Sequence, residues 1–229
     1  LAVSPLTAAG ATPDAADATF QRAALWRVLK REFPEWYALQ LKQAVELEQQ
    51  KKDPAQVASQ MAQSLAALRR QYASQALQAS PNRLVAIAQA FVENLAHLKK
   101  HSTEACYGYI AQGETNPVIV TLMRSPAHTP HLQGHAATIF EAIAEGRKAP
   151  RAHIPPKQSD FDALVAEPTS RGWSQADLQL FSDDKALARS PQDKVCKMVH
   201  QWFEAQLALK DHEARQRLLA DTLRPIVQG

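Results

Sequence analysis

The sequence contains little glycine, with 7 residues in 229, where an average chain would carry roughly twice as many. Glycine adopts positive φ most readily, so tight hairpins and Gly-rich phosphate loops have few places to form. The patterns G-x-x-x-x-G-K, G-x-G-x-x-G and G-x-S-x-G are missing from the sequence, and nucleotide binding and hydrolase chemistry therefore lack their usual motifs. No apolar run reaches the ~18 residues that a membrane-spanning helix needs.

Val, Ile and Thr are also sparse and rarely alternate with polar residues, whereas Ala and Gln are abundant. This balance favours helices over sheets. We therefore predict a soluble all-α domain, an irregular bundle of about seven to nine helices with a Pro-rich linker.

Helix starts are marked by polar residues followed by proline, at Asp53–Pro54, Ser80–Pro81 and Ser190–Pro191. A cap followed by a first-turn proline is typical of a helix N-terminus. Apolar residues then recur at steps of three and four. A further helix is predicted from about His131 to a C-terminal cap at Gly146. The apolar run 118–123, between two prolines, is predicted to be an extended pass under the helices rather than a lone strand.

The segment from Arg147 to Lys157 is basic and rich in proline, a composition typical of an extended linker. It divides the chain into a predicted N-terminal helical bundle, 1–146, and a C-terminal helical part, 147–229, packed on the first. Residues 1–13 are small and polar and also resemble a linker. Because this stretch begins at Leu1, we favour an exported or membrane-tethered protein over a cytoplasmic one.

Two cysteines, Cys106 and Cys196, lie 90 positions apart. Neither has a nearby cysteine that would indicate a zinc or redox motif. Both fall on predicted helix faces, so we favour two separate buried thiols over a disulfide.

Three histidines, His128, His131 and His135, follow one another at steps of three and four. On a helix this spacing would place three imidazoles on one side, as in a catalytic zinc site with one open position. Pro130 and Gly134 interrupt the region, however, and no His-Glu-x-x-His arrangement supplies a general base. Surface or helix-capping histidines are the favoured interpretation, and no cofactor is predicted.

Adjacent aromatic residues in two helices place neighbouring rings on different helix faces, so that one ring of each pair can contact a partner. Together with basic linker residues they form a predicted partner-binding surface, in a groove between the long terminal helix and the Pro-rich linker. Its predicted residues are Trp36, Tyr37, Trp202, Arg147, Lys148 and Arg151.

The favoured function is therefore a non-enzymatic helical binding or scaffolding domain for a protein partner or a small ligand. The alternative is a small metal-dependent enzyme that uses His128, His131 and His135. The basic linker lacks interleaved aromatic residues that could stack on bases, so the sequence has no specific nucleic-acid signal.

Overall fold

The structure, a computed structural model, describes residues 12–229. Over this range it contains fourteen α-helices, one 3₁₀ helix and no β-strand, which confirms the all-α class. The helix count exceeds the predicted seven to nine because several short helices join the long ones. Of the predicted N-terminal linker, residues 1–11 lie outside the described residues, whereas Thr12 caps the first helix and Pro13 begins it.

The first half of the chain contains α1 (Pro13–Phe20), α2 (Ala24–Glu32), α3 (Pro34–Gln49), α4 (Pro54–Ala76), α5 (Pro81–His101), α6 (Thr103–Gln112), the 3₁₀ helix η1 (Gly113–Thr115) and α7 (Pro117–Leu122). The second half contains α8 (Thr129–Lys148), α9 (Gln158–Ser170), α10 (Gln175–Ser182), α11 (Asp184–Ala188), α12 (Gln192–Ala208), α13 (His212–Thr222) and α14 (Arg224–Gln228). None of the helices in residues 12–229 combines the length and hydrophobicity needed to cross a bilayer.

The predicted start signals of the two longest helices are confirmed. Pro54 begins α4, and the Asp53 carboxylate accepts a hydrogen bond from the Ala55 N–H at 2.9 Å. Pro81 likewise begins α5. In each case proline occupies a position whose N–H would have no partner inside the helix.

The extended pass predicted for 118–123 is wrong, because Pro117–Leu122 forms the helix α7. The Asn116 side-chain oxygen caps this helix by accepting hydrogen bonds from the Val118 and Ile119 N–H groups at 2.9 and 3.4 Å. Cap and first-turn proline together outweigh the β propensity of the valines and isoleucine.

The long helix α8 packs against α2, α4 and α5 and forms the centre of the fold. The prediction that Gly146 ends this helix is wrong, because α8 continues to Lys148. A Cβ atom at Gly146 would lie 1.8 Å from the Gln75 carbonyl oxygen of α4. This glycine therefore allows two helices to approach closely.

Cys106 on α6 and Cys196 on α12 form a disulfide, with their Cα atoms 6.1 Å apart. The expected pair of separate thiols is thus not what the structure shows. Because α6 and α12 pack side by side, two positions distant in sequence come within the separation typical of a disulfide. The bond ties the C-terminal part of the chain to the centre of the bundle.

One large hydrophobic core contains residues from both predicted parts of the chain, for example Phe91 and Ile143 together with Phe203 and Val227. A second, smaller cluster joins α9, α12 and α13 around Leu164. The division at residue 147 remains a prediction, and the shared core shows that the two parts are packed together.

Candidate functional site

A groove of about 500 Å³ runs beside the Pro-rich segment 150–156, which connects α8 to α9 without forming a helix. Residues of α13 and the beginning of α14 line it opposite this segment, and Leu77 and Gln78 after α4 also contribute. The sequence predicted an apolar groove between the linker and the long terminal helix, whereas this groove lies between the linker, α13 and the start of α14 and is lined by three arginines. We call it the linker groove.

Hydrogen bonds attach the segment 150–156 to two other parts of the fold. The Arg151 N–H donates to the Gln78 carbonyl at 2.8 Å. His153 Nε2 lies 2.9 Å from the Ala79 carbonyl oxygen, and its Nδ1 lies 2.9 Å from Gln216 Nε2 on α13. A carbonyl only accepts and an amide nitrogen only donates, so this geometry assigns the hydrogen of a neutral imidazole to Nε2. His153 thereby fixes the segment in place.

The sequence keeps this segment from becoming helical. Ile154 precedes Pro155, which precedes Pro156, and a residue before proline is restricted to extended conformations. The side chain of Ile154 is 68% exposed. Among residues 12–229, the only other large hydrophobic side chain that is mainly exposed is Leu39. The segment therefore offers an apolar side chain at the edge of the groove.

The groove carries unpaired positive charge. Arg217 forms two hydrogen bonds with the Asp160 carboxylate, at 2.7 and 2.8 Å, and these lower the pKa of Asp160 to about 2. Arg151 and Arg224 are exposed and form no salt bridge with any residue in 12–229. Asp221 is the only other charged residue lining the groove. Arg151 and Arg224, which form no ion pair within this range, together with Asp221 leave a net charge of about +1 on the groove.

The backbone of the segment also has free donors. Within residues 12–229, neither the Ala152 nor the Ile154 N–H donates a hydrogen bond. Both residues are exposed, so their N–H groups are available to an approaching chain.

Only one of the six predicted partner-binding residues, Arg151, lines the linker groove. Tyr37 is buried, where its hydroxyl donates to the Asp17 carboxylate at 2.7 Å and accepts from the Gln21 amide at 2.8 Å. Trp36 is half-buried and stacks on Trp26 with ring centroids 6.3 Å apart. These two side chains hold α1, α2 and α3 together.

The remaining three predicted residues also make contacts within the fold. The Arg147 guanidinium lies 4.9 Å from the ring centroids of both Phe33 and Tyr72. Lys148 pairs with Glu32 at 2.6 Å. Trp202 is half-buried and packs against Phe181 of α10 at 4.8 Å and against Trp173, in the loop before α10, at 6.4 Å.

A second groove, of about 630 Å³, lies between α3 and α4. Trp36 and the exposed Leu39 line it, with several glutamines and a single charged residue, Glu46. Its lining is nearly uncharged, in contrast to the linker groove.

Two of the three predicted metal-binding histidines, His128 and His131, join His97 and His101 of α5 in a surface group that we call the histidine cluster. His97 Nε2 lies 2.8 Å from His128 Nδ1, and the His97 and His131 rings stack with centroids 3.9 Å apart. Burial first, and then the neighbouring imidazoles, lower the pKa of His97 and of His128. His97 and His128 are therefore harder to protonate than free imidazoles.

The third histidine, His135, is turned into the core, where its Nδ1 lies 2.6 Å from the Tyr109 hydroxyl. Burial, and then the Arg69 charge, lower its pKa to about 3. The structure thus separates His135 from the other two. In residues 12–229 no three His, Cys, Asp or Glu side chains are arranged to hold a metal ion.

A group of buried polar residues was missed by the sequence reasoning. Arg69 pairs with Glu114 at 2.8 Å, with their side chains 3% and 7% exposed, and Asn94 is 1% exposed. A signal was present, because Arg69 and Asn94 fall among the apolar positions of α4 and α5, next to Leu68 and Leu95. A charged or amide residue on a buried helix face has to find a polar partner in the interior.

No family model, curated protein or solved structure matches this chain.

Proposed function

We propose that this chain is a non-enzymatic helical binding domain whose linker groove holds an extended, acidic segment of a protein partner. The observation that supports this most directly is that Arg151 and Arg224, on the two sides of one groove, have no salt-bridge partner among residues 12–229. Carboxylates are the natural partners of guanidinium groups, which bind them through two parallel hydrogen bonds.

The free backbone donors favour an extended partner over a helical one. A strand lying along the segment 150–156 would accept hydrogen bonds from the Ala152 and Ile154 N–H groups, as in other complexes that extend an exposed backbone edge. An apolar side chain of that strand would cover Ile154, at a gain of about 25 cal/mol for each Å² removed from water. Acidic side chains alternating with apolar ones fit both features.

The disulfide supports the proposal that this domain works in an oxidising compartment. Structural disulfides persist in exported proteins and are rare in the reducing cytosol. The Cys106–Cys196 bond is therefore the structural argument for an exported protein. The metal-dependent alternative has no such support, since His135 lies apart from His128 and His131.

The test uses fluorescent peptides of about eight residues, which span about 26 Å when extended. One peptide alternates glutamate with leucine, and its control replaces each glutamate with lysine. Binding to the oxidised protein is followed by fluorescence anisotropy at low and high salt. We expect the acidic peptide alone to bind, with an affinity that falls as salt is added because the charges are exposed.

Charge-reversal variants locate the site. The double variant Arg151→Glu and Arg224→Glu should weaken binding about tenfold or more, since two surface attractions of ~0.2–1 kcal/mol each become repulsions. The matched control, Arg70→Glu and Arg124→Glu, changes the net charge equally at exposed arginines outside the groove. Equal binding of both peptides, or equal losses in both variants, would contradict the proposal.

A further inference from the structure

A small cavity of about 30 Å³ lies between α4, α5, α6, α8 and α14. Three polar side chains line it, Arg69, Tyr109 and His135, and each is more than nine-tenths buried. Phe91, Ile110 and Ile226 supply its apolar walls. This cavity is distinct from the linker groove and shares no residue with it.

Two of the polar lining residues have atoms without a hydrogen-bond partner among residues 12–229, Arg69 Nε and His135 Nε2. Glu114 Oε1, in the carboxylate that pairs with Arg69, is likewise unpaired. A buried polar atom left unpaired costs about 1–3 kcal/mol, and such atoms are rare in folded proteins. Since Arg69 and His135 both line this cavity, something in it completes their hydrogen bonds.

The charges around the cavity cancel. The Arg69 guanidinium is 2.8 Å from the Glu114 carboxylate. His135 is neutral at physiological pH because its pKa is lowered to about 3, and burial, followed by the Glu114 charge, raises the pKa of Tyr109 and keeps its hydroxyl protonated. The side chains of the site therefore carry no net charge.

The size of the cavity limits its occupant. A water molecule needs about 10–15 Å³ of such volume, so about two waters fit and an organic ligand does not. The unpaired atoms include a donor that lines the site, Arg69 Nε–H, and an acceptor beside Arg69, Oε1 of the Glu114 carboxylate that pairs with it. Water both donates and accepts, whereas an anion accepts only and would be repelled by the Glu114 carboxylate.

We infer that this cavity is a binding site for about two ordered water molecules, which bond to His135 Nε2 and Arg69 Nε. In this assignment the Tyr109 hydroxyl, 2.6 Å away, donates to His135 Nδ1, which leaves the imidazole hydrogen on Nε2 to bond a water oxygen. The waters thereby link α4, α6 and α8 at a place where direct side-chain bonds are incomplete. They are part of the core, as buried waters in other proteins are.

A crystal structure of the oxidised protein at high resolution tests this inference. We expect density for water within about 3.2 Å of both His135 Nε2 and Arg69 Nε. Soaking with bromide distinguishes an anion, because a bromide ion gives an anomalous signal and water does not. A cavity of the same shape without density, or one with an anomalous peak, would overturn the inference.

Heteronuclear NMR gives a second readout that does not need crystals. The Arg69 Nε–H should show a cross-peak to long-lived water, and the ¹⁵N shifts of His135 should identify the tautomer with hydrogen on Nε2. In the double variant Tyr109→Phe and His135→Phe the water cross-peak should weaken or vanish. The control His131→Phe makes the same substitution at an exposed position of α8, and there the cross-peak should persist. A cross-peak unchanged in the double variant would overturn the assignment to this cavity.

Discussion

Replacing the buried ion pair of Arg69 and Glu114 by apolar side chains of similar size tests how this interior is stabilised. The perturbation is the set Arg69→Met, Glu114→Leu and the double variant. Both side chains are almost fully buried, and their charged atoms are 2.8 Å apart. Each single variant therefore leaves the opposite charge in the core without its counter-ion.

The expected sizes follow from burial. Removing one partner of a buried pair costs about 3–5 kcal/mol, whereas replacing both is often neutral or stabilising by 1–4 kcal/mol. The two single losses would sum to about 6 kcal/mol or more, a large part of the 5–15 kcal/mol that folded domains typically have. The double variant should instead lie near the wild type, so the coupling energy should exceed ~3 kcal/mol.

Urea unfolding followed by circular dichroism at 222 nm, with the disulfide kept oxidised, measures these free energies. A matched control exists on the surface, where Arg171 and Glu204 are 2.9 Å apart but each 36% exposed. The corresponding cycle, Arg171→Met and Glu204→Leu, should give a coupling of at most ~1 kcal/mol. If the Arg69 and Glu114 variants were additive, or coupled no more than the surface pair, the reasoning would be refuted.

Three further predictions concern other parts of the fold. Gly146→Ala should destabilise the protein by about 1–3 kcal/mol or more, because its Cβ would lie 1.8 Å from the Gln75 carbonyl oxygen. In the control Gly134→Ala, on the same helix, the new Cβ meets nothing within 4 Å, and the free energy of unfolding should rise by up to ~1 kcal/mol. Urea unfolding measures both. The lowered pKa of His97 and His128 means that the unfolded chain binds more protons, so their contribution to stability is complete above pH ~6.5 and is lost as the pH falls below it. As the pH is lowered below ~6.5, the free energy of unfolding should therefore fall less steeply in the double variant His97→Gln, His128→Gln than in the wild type. The same dependence on pH in both proteins would contradict this prediction. The Cys106–Cys196 bond closes a loop of about 90 residues, so its reduction should lower the free energy of unfolding by about 2–4 kcal/mol. The melting temperature should therefore be lower in dithiothreitol. An unchanged melting temperature would mean that the bond is absent or does not stabilise the protein.

Much of the fold could be predicted because helix signals are local. Asp53–Pro54 and Ser80–Pro81 act on the backbone within one turn, so they mark helix starts whatever surrounds them. The apolar run 118–123 alone indicates an extended segment, and the Asn116 cap before it is the local signal for the helix that forms. The role of Gly146 has no local signal, since only the neighbouring helix α4 shows why a side chain is excluded there.

The candidate site could be predicted only in part. A groove beside the Pro-rich linker was expected, and Arg151 was among its predicted residues. The side chains of Tyr37 and Lys148 were assigned to a partner, but the structure gives them partners within the fold, Asp17 and Glu32. Whether an aromatic or charged side chain is free depends on what packs beside it, and helical spacing does not contain that information.

The sequence by itself determined that this chain is helical and where most helices begin, because hydrogen bonds in a helix join residues four apart and capping acts over two or three. Tertiary structure alone decided the pairing of Cys106 with Cys196, the burial of His135 away from His128 and His131, and the joining of Arg69 to Glu114. The two pairs join residues 90 and 45 positions apart on different elements, and His135 differs from His131 on the same helix only in what packs against it. All three therefore depend on how whole helices pack and not on any local pattern.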